Sequence, residues 1–280
     1  MTGSELPRLE DDGLTNLPVG SWAEEKYRLV GLYASLFSAS MKAKWDHRVY
    51  VDLFAGPGRS QIKDSGRVVP GTPTLALSAP TPYTRYIFCE KDHASLETLK
   101  ARCDRDFPER DVRYVPGDCN QHVAAIISHL PIAGRGSTVL SFCFADPFRV
   151  SDLHFATLTQ LAERYVDFLI LIPTGMDASR NWRRESPAID SFVGTPAWRG
   201  AWTSRSRQGV SFDAFFTGFF STQMATLGYA YGGVNNTVLI RNPDKNQRLY
   251  RLAFYSKHQL GEKFWTQALR YSTPQLGLDL

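Results

Sequence analysis

Four short apolar runs in this chain end on acids whose neighbours suit ligand chemistry. The first closes as Val51-Asp52-Leu53-Phe54-Ala55-Gly56-Pro57-Gly58. Glycines placed directly after a strand let the backbone come close to a ligand. The third glycine of a dinucleotide fingerprint is missing, because Gly58 is followed by Arg59-Ser60-Gln61. The second run closes as Cys89-Glu90-Lys91-Asp92. An acid at a strand end can accept both ribose hydroxyls of a nucleoside, and Glu90 stands there, while Asp92 suits the cap of a helix starting at His93. The third is Gly117-Asp118-Cys119-Asn120, whose Asp118 is also a good helix cap. The fourth is Phe144-Ala145-Asp146-Pro147-Phe148-Arg149. There Asp146 is the first candidate for an acid that faces a substrate, the alternative being a plain Asp-Pro turn.

These acids need a scaffold that brings strand ends together. Arg48–Phe54, Arg85–Cys89, Val112–Val115, Thr138–Ala145 and Val166–Ile172 are apolar, β-branched or aromatic runs of strand length. Helical stretches are expected between them, at about 72–79, 93–105, 119–130 and 151–164. Strands alternating with helices imply right-handed crossovers and a mostly parallel sheet. Asn236–Arg241 and Arg248–Tyr255 read as an antiparallel hairpin, with a helix from Gly261 to about Leu269. Upstream, Trp22, Leu29, Val30, Tyr33, Leu36 and Phe37 share one face of a helix over about 22–41. Residues 1–21 read as a mobile leader, and 22–280 as one domain. Residues 59–70 read as a loop inserted beside the ligand, and about 176–228 as a helical insertion.

Together the runs match the seven-stranded Rossmann-like sheet of class I methyltransferases, and the acidic strand end before AGPG resembles motif I of S-adenosylmethionine (SAM) enzymes. More specifically, the chain resembles the three-Cys-motif partner protein family. The resemblance rests on Asp52–Gly58 (DLFAGPG), Cys89–Asp92 (CEKD), Gly117–Asn120 (GDCN) and Ala145–Phe148 (ADPF). It continues through Pro173–Asn181 (PTGMDASRN), Phe192–Arg199 (FVGTPAWR) and Ser256–Gly261 (SKHQLG) with Trp265, and covers about residues 22–270. It implies SAM as cofactor, held by Asp52, Phe54, Gly56, Gly58, Glu90, Lys91, Asp118 and Cys119, with Asp118 accepting from the adenine amino group. It implies Asp146 and Phe148 as the catalytic pair, by analogy with amino-group methyltransferases that carry an Asp/Asn-Pro-Pro-aromatic tetrapeptide. Here only one proline is present, and Arg149 stands where a small residue is common. It also implies a partner protein, itself similar to radical-SAM proteins with an iron–sulfur cluster.

Residues Ala178–Val210 carry six arginines, no lysine and two acids, with Trp182, Trp198 and Trp202 interleaved. Arginine among aromatics suits phosphate contact and base stacking; a solvated helical cap whose tryptophans pack inward is the other reading. Arg149, Arg180, Arg183, Lys257 and His258 are the candidate substrate contacts. The expected function is SAM-dependent methyl transfer to nucleic acid or a nucleotide-like substrate. The alternatives are an accessory module for a radical-SAM partner and a nucleic-acid-binding defence component.

Composition narrows the field. The 280 residues are 43% hydrophobic and 21% charged, enough for a full core. The net charge of +4 neither requires nor excludes nucleic acid. Cys89, Cys103, Cys119 and Cys143 show no metal-ligand spacing, so no metal site is expected. The polar start and the lack of a long apolar run point to a cytoplasmic protein without a membrane span.

Overall fold

The computed structural model describes residues 6–175, 182–184, 186–242 and 247–272. The chain opens with β1 (Leu17–Val19) and α1 (Ala23–Met41), then β2 (His47–Asp52), β3 (Arg59–Ile62), β4 (Val68–Pro70) and α2 (Thr72–Leu77). There follow β5 (Arg85–Glu90), α3 (His93–Asp106), β6 (Val112–Pro116), α4 (Cys119–Ser128) and β7 (Val139–Ala145). A 3-10 turn at Val150–Asp152 leads to α5 (Phe155–Leu161) and β8 (Val166–Ile172). Then come α6 (Ser186–Val193), α7 (Trp198–Ser206), α8 (Phe212–Thr226), β9 (Tyr231–Asn242), β10 (Gln247–Ser256) and α9 (Gln259–Ser272).

Seven strands form the central sheet in the order β6-β5-β2-β7-β8-β10-β9. The first five run parallel, and β10 is antiparallel to both β8 and β9. This is the Rossmann-like class I methyltransferase arrangement that the spacing of the runs predicts. The inner strands are buried on both faces, which is why they read as continuous apolar runs: all seven residues of β8 are buried. Side chains alternate between two cores. Val49, Val51, Ile87, Cys89, Phe168 and Ile170 meet α4, α5, α6 and α8 on one face. Tyr50, Tyr86, Phe88, Phe142, Phe144 and Leu169 meet α1, α3 and α9 on the other.

Two expectations need correction. Residues 59–70 are not a free loop: β3 and β4 form a hairpin, and β1 joins β3 in a small second sheet. Residues 6–19, within the stretch read as a mobile leader, are packed. Leu6 is buried in a third cluster with Ala23, Tyr27, Ile62 and Val69. Asp12 accepts two hydrogen bonds from the Arg102 guanidinium (2.7 and 2.9 Å) and pairs with Arg105 and Arg59. Arg102 also donates to Pro57 O (2.7 Å), so it ties the leading segment to the glycine loop. Neither feature has a periodic apolar signal, since short edge strands and a clamp of polar contacts hold them.

Candidate functional site

The carboxyl ends of β2, β5, β6 and β7 lie side by side, where open α/β sheets bind ligands. Gly56 (φ +60°) and Gly58 (φ +83°) turn the chain after β2. At this φ any other residue would be strained, and a Cβ on Gly58 would stand 2.8 Å from Leu99 Cδ1, which would have to move. Both glycines are buried, and Leu17 of β1 lies over Gly56.

Asp52 is fully buried at the foot of this turn. Its carboxylate accepts from Thr72 Oγ1 (2.6 Å), Phe54 N (3.2 Å) and Tyr50 Oη (3.3 Å). Burial pushes its pKa up to about 7, against these hydrogen bonds. Asp52 thus braces the turn from beneath. Phe54 packs against the core.

Glu90 spans two loops. One carboxylate oxygen accepts from Gly56 N (2.7 Å) and the other from Asp92 N (2.8 Å). Asp92 caps α3 by accepting from Ser95 N (2.9 Å). Across the neighbouring strand end, Lys91 Nζ lies 3.2 Å from Asp118 Oδ2, with Lys91 76% exposed. Asp118 caps α4 through Oδ1, which accepts from Asn120 N (2.9 Å). Burial would raise the Asp118 carboxyl, but the Asn120 amide and Lys91 hold it below the usual range. Cys119 is buried behind it, and burial pushes its thiol up to about 12.

Asn120 is a positioning residue the sequence left without a role. Its Nδ2 donates to Asp118 Oδ1 and Asp152 O (both 2.9 Å), and its Oδ1 accepts from His154 N and Thr157 Oγ1 (both 2.8 Å). All four bonds of its amide are used, and they lock the end of β6 to the turn after β7.

Asp146 stands at the end of β7 and forms an ion pair with Lys26 of α1. The side chains are 9% (Lys26) and 21% (Asp146) exposed. Lys26 Nζ also sits 4.9 Å from the Tyr27 ring centroid. A signal for Lys26 was present: it stands one turn from Trp22 and from Leu29 and Val30, on the apolar stripe of α1. Beyond Asp146, Phe148 is 83% exposed and the Arg149 guanidinium lies 5.9 Å from its ring. The turn is pinned by Arg149 N donating to Asp152 Oδ2 (2.9 Å).

The insertion supplies α6, α7 and α8, and α6 packs against the 3-10 turn after β7. Arg183, Arg184, Arg205 and Arg207 are exposed, whereas Arg199 pairs with Asp190 (2.6 Å). The tryptophans face inward: Trp198 is fully buried and donates to Asp190 Oδ1 (2.7 Å), while Trp182 and Trp202 make edge contacts around it. They serve the packing of the cap and are spent for base stacking. Arg180 lies outside the described residues.

Lys257 and His258 are a correction. They follow β10, which runs antiparallel to β8, so they stand at the opposite pole of the sheet beside Tyr165 and Val166. They share no surface with Glu90, Asp118 or Asp146. Lys257 Nζ donates to Ala162 O and lies 5.1 Å from the Tyr229 ring centroid.

No family model matches the sequence, and no curated protein matches it. Among solved structures the chain is similar to a Legionella pneumophila protein at 10% identity, covering 87% of this chain and 91% of that one, with TM-score 0.49. It is also similar to Trm1 of Pyrococcus horikoshii, solved in complex with S-adenosyl-L-methionine. That likeness has 10% identity and TM-score 0.46, and covers 92% of this chain but 64%, less than two thirds, of Trm1. At such identities and TM-scores nothing of these proteins carries over to this chain.

Proposed function

We propose that the protein is a SAM-dependent methyltransferase acting on an amine of a nucleic acid or nucleotide-like substrate. The observation that carries this is the convergence of a glycine turn, Glu90, Asp118 and Asp146 on one edge of a methyltransferase-type sheet, with Glu90 hydrogen-bonded to both flanking loops.

The residues fit the cofactor. Each Glu90 oxygen takes one backbone N–H and keeps a lone pair for a ribose hydroxyl. Asp118 Oδ2 is held by an exposed, movable Lys91 and can turn to an adenine amino group. Bound there, SAM supplies an electrophilic methyl group. Asp146 then orients the acceptor. Lys26 holds Oδ2, so Oδ1 is the oxygen that accepts an N–H of the acceptor and fixes its lone pair. Holding the acceptor in line is the larger share of the rate in such a displacement. Asp146 is engaged in the ion pair with Lys26 and serves to orient, and the proton the acceptor loses passes on to solvent. The exposed Phe148 ring offers a stacking face for a base. The exposed Arg183, Arg184, Arg205 and Arg207 of the cap offer phosphate contacts. The same motifs carry the resemblance to three-Cys-motif partner proteins, which makes a radical-SAM protein of that kind the partner to test in a pull-down.

Calorimetric titration with SAM and S-adenosylhomocysteine tests the core of this proposal. The native chain is expected to bind both in the micromolar range, and Glu90→Ala and Asp118→Ala to bind at least about tenfold more weakly, as lost charge-assisted hydrogen bonds would dictate. Transfer of labelled methyl to RNA or DNA, lost in Asp146→Ala, completes the test. A folded native chain that binds neither ligand overturns it.

A further inference from the structure

The pole of the sheet opposite the strand carboxyl ends holds a cavity of about 330 Å³. Its size lies in the range of small-ligand pockets, roughly 300–1,000 Å³. Phe37 and Met41 from the end of α1, Leu140 from the start of β7 and Phe264 from α9 form apolar walls. Trp45 and Tyr165 stand at the opening with ring centroids 5.8 Å apart, and Tyr165 is 63% exposed.

One acid breaks the apolar lining. Asp167 is the single acid in the run Val166-Asp167-Phe168-Leu169-Ile170-Leu171-Ile172, is 7% exposed, and lines the cavity. A buried carboxylate is costly unless a cation answers it. Among the described residues none forms an ion pair with Asp167. Lys257, on the same lining, is turned to Ala162 O, and His258 Nδ1 accepts from Leu260 N (3.1 Å). Lys44 and His258 are exposed at the rim. The Tyr33 and Ser256 hydroxyls stand beside Asp167 and favour its charged form, but neither supplies a positive charge. Yet the fold keeps this acid in contact with the start of a helix. A Cβ on Gly261 would lie 2.9 Å from Asp167 Oδ2 and 2.5 Å from Ser256 Oγ, so only glycine lets the first turn of α9 close here. Burial without a cation pushes the Asp167 carboxyl up to about 7, so an ammonium entering the cavity would stabilise its charged form.

We propose that this cavity is a second ligand site, for a small molecule with an aromatic-sized apolar body and a protonated amine. The body fills the space between Phe37, Met41, Leu140 and Phe264, and the ammonium answers Asp167. The site shares no residue with the proposed methyltransferase edge and stands whether or not that activity is found.

The test is calorimetry on the full chain with phenethylamine and tryptamine, each beside its neutral alcohol, phenethyl alcohol and tryptophol. At least one amine is expected to bind with Kd of about 1 mM or tighter, a reasonable affinity for ligands of this size. At about pH 8, above the value to which burial pushes the carboxyl, it should bind about tenfold or more tightly than its alcohol, because only the amine answers the ionised Asp167. Asp167→Asn, which keeps the shape, should erase that difference. Met41→Trp, which narrows the cavity, should weaken amine and alcohol alike. Equal affinity for amine and alcohol, no saturable binding of either amine, or a preference that survives Asp167→Asn would each overturn the proposal. The native comparison decides even if Asp167→Asn does not fold.

Discussion

Lys26 of α1 pairs with Asp146 at the end of β7, across 120 residues of chain. Burial alone would lower the pKa of Lys26, but Asp146 and the nearby Tyr250 and Tyr27 phenols raise it beyond its ordinary value. The ammonium therefore stays charged, and it fixes the carboxylate that faces the proposed acceptor. The helix α1, before the first strand of the central sheet, thus reaches the proposed site.

Breaking this pair on one side leaves a buried charge without an answer, which typically costs about 3–5 kcal/mol. Lys26→Met should lose stability of that order in urea denaturation. The double variant Lys26→Met with Asp146→Leu should regain most of it, because both charges are then gone. A loss below about 1 kcal/mol in the single variant, the size of an exposed pair, would show that the two are not coupled.

The pH dependence of stability follows from Asp52 and Asp167. Burial pushes both pKa values up to about 7, whereas an unfolded aspartate titrates near 3.9. Between those values the unfolded chain has released its proton and the native chain still holds it. Their stabilising contribution is therefore complete below about pH 4 and is lost as pH rises to about 7, up to about 4 kcal/mol per group as an upper bound. Asp12 works the other way: its hydrogen bonds with Arg102 hold its carboxyl well below the usual range, against the effect of burial, so its contribution is present above about pH 4 and lost in more acid solution. The melting temperature of the native chain should fall from about pH 5 to about pH 7, and that of Asp167→Asn should fall less. Equal slopes would mean that Asp167 does not titrate in this window.

Much of this was legible beforehand, for physical reasons. Central strands buried on both faces leave unbroken apolar runs, so β2, β5, β7 and β8 could be read within a residue or two, and topology then brought Glu90, Asp118 and Asp146 to one edge. Lys257 and His258 were misplaced because proximity to a family motif says nothing of strand direction: β10 runs against β8 and carries them to the other pole. Lys26 and Asp167 were visible as charges inside apolar patterns, but which group answers a buried charge is a tertiary fact. The segment 6–19 has no periodicity to read, since what orders it is chiefly the arginine clamp on Asp12.

That clamp makes its own prediction. Arg102 is 2% exposed, donates to Asp12 twice, and also reaches Thr15 O, Asn16 Oδ1 and Pro57 O. Removing the carboxylate leaves a buried guanidinium and frees the strand that lies over Gly56. Asp12→Ala should cost about 3 kcal/mol or more. Limited proteolysis should then cut within residues 6–19 of the variant, before any cut in the central sheet. Uncut leaders in both proteins would show that the apolar contacts of Leu6 and β1 hold this segment without the clamp.

The exposed arginines of the cap give a prediction that separates charge from stacking. Trp182, Trp198 and Trp202 are engaged with each other and with Phe212 and Phe215, so under the proposed function the cap is expected to act on a nucleic acid through phosphate contacts. Each neutralised phosphate adds about −0.7 to the slope of log K against log salt for a single strand. Arg183→Gln with Arg205→Gln should flatten the slope for a single-stranded RNA by about 1.4 and weaken binding across sequences alike. Phe148→Ala should lower affinity at every salt concentration and leave the slope unchanged, because a stacked ring releases no counterions. Fluorescence anisotropy at several salt concentrations reads both effects. A slope unmoved by the arginine substitutions would remove the cap from the substrate path and leave the turn at Asp146–Arg149 as the place where substrate is held.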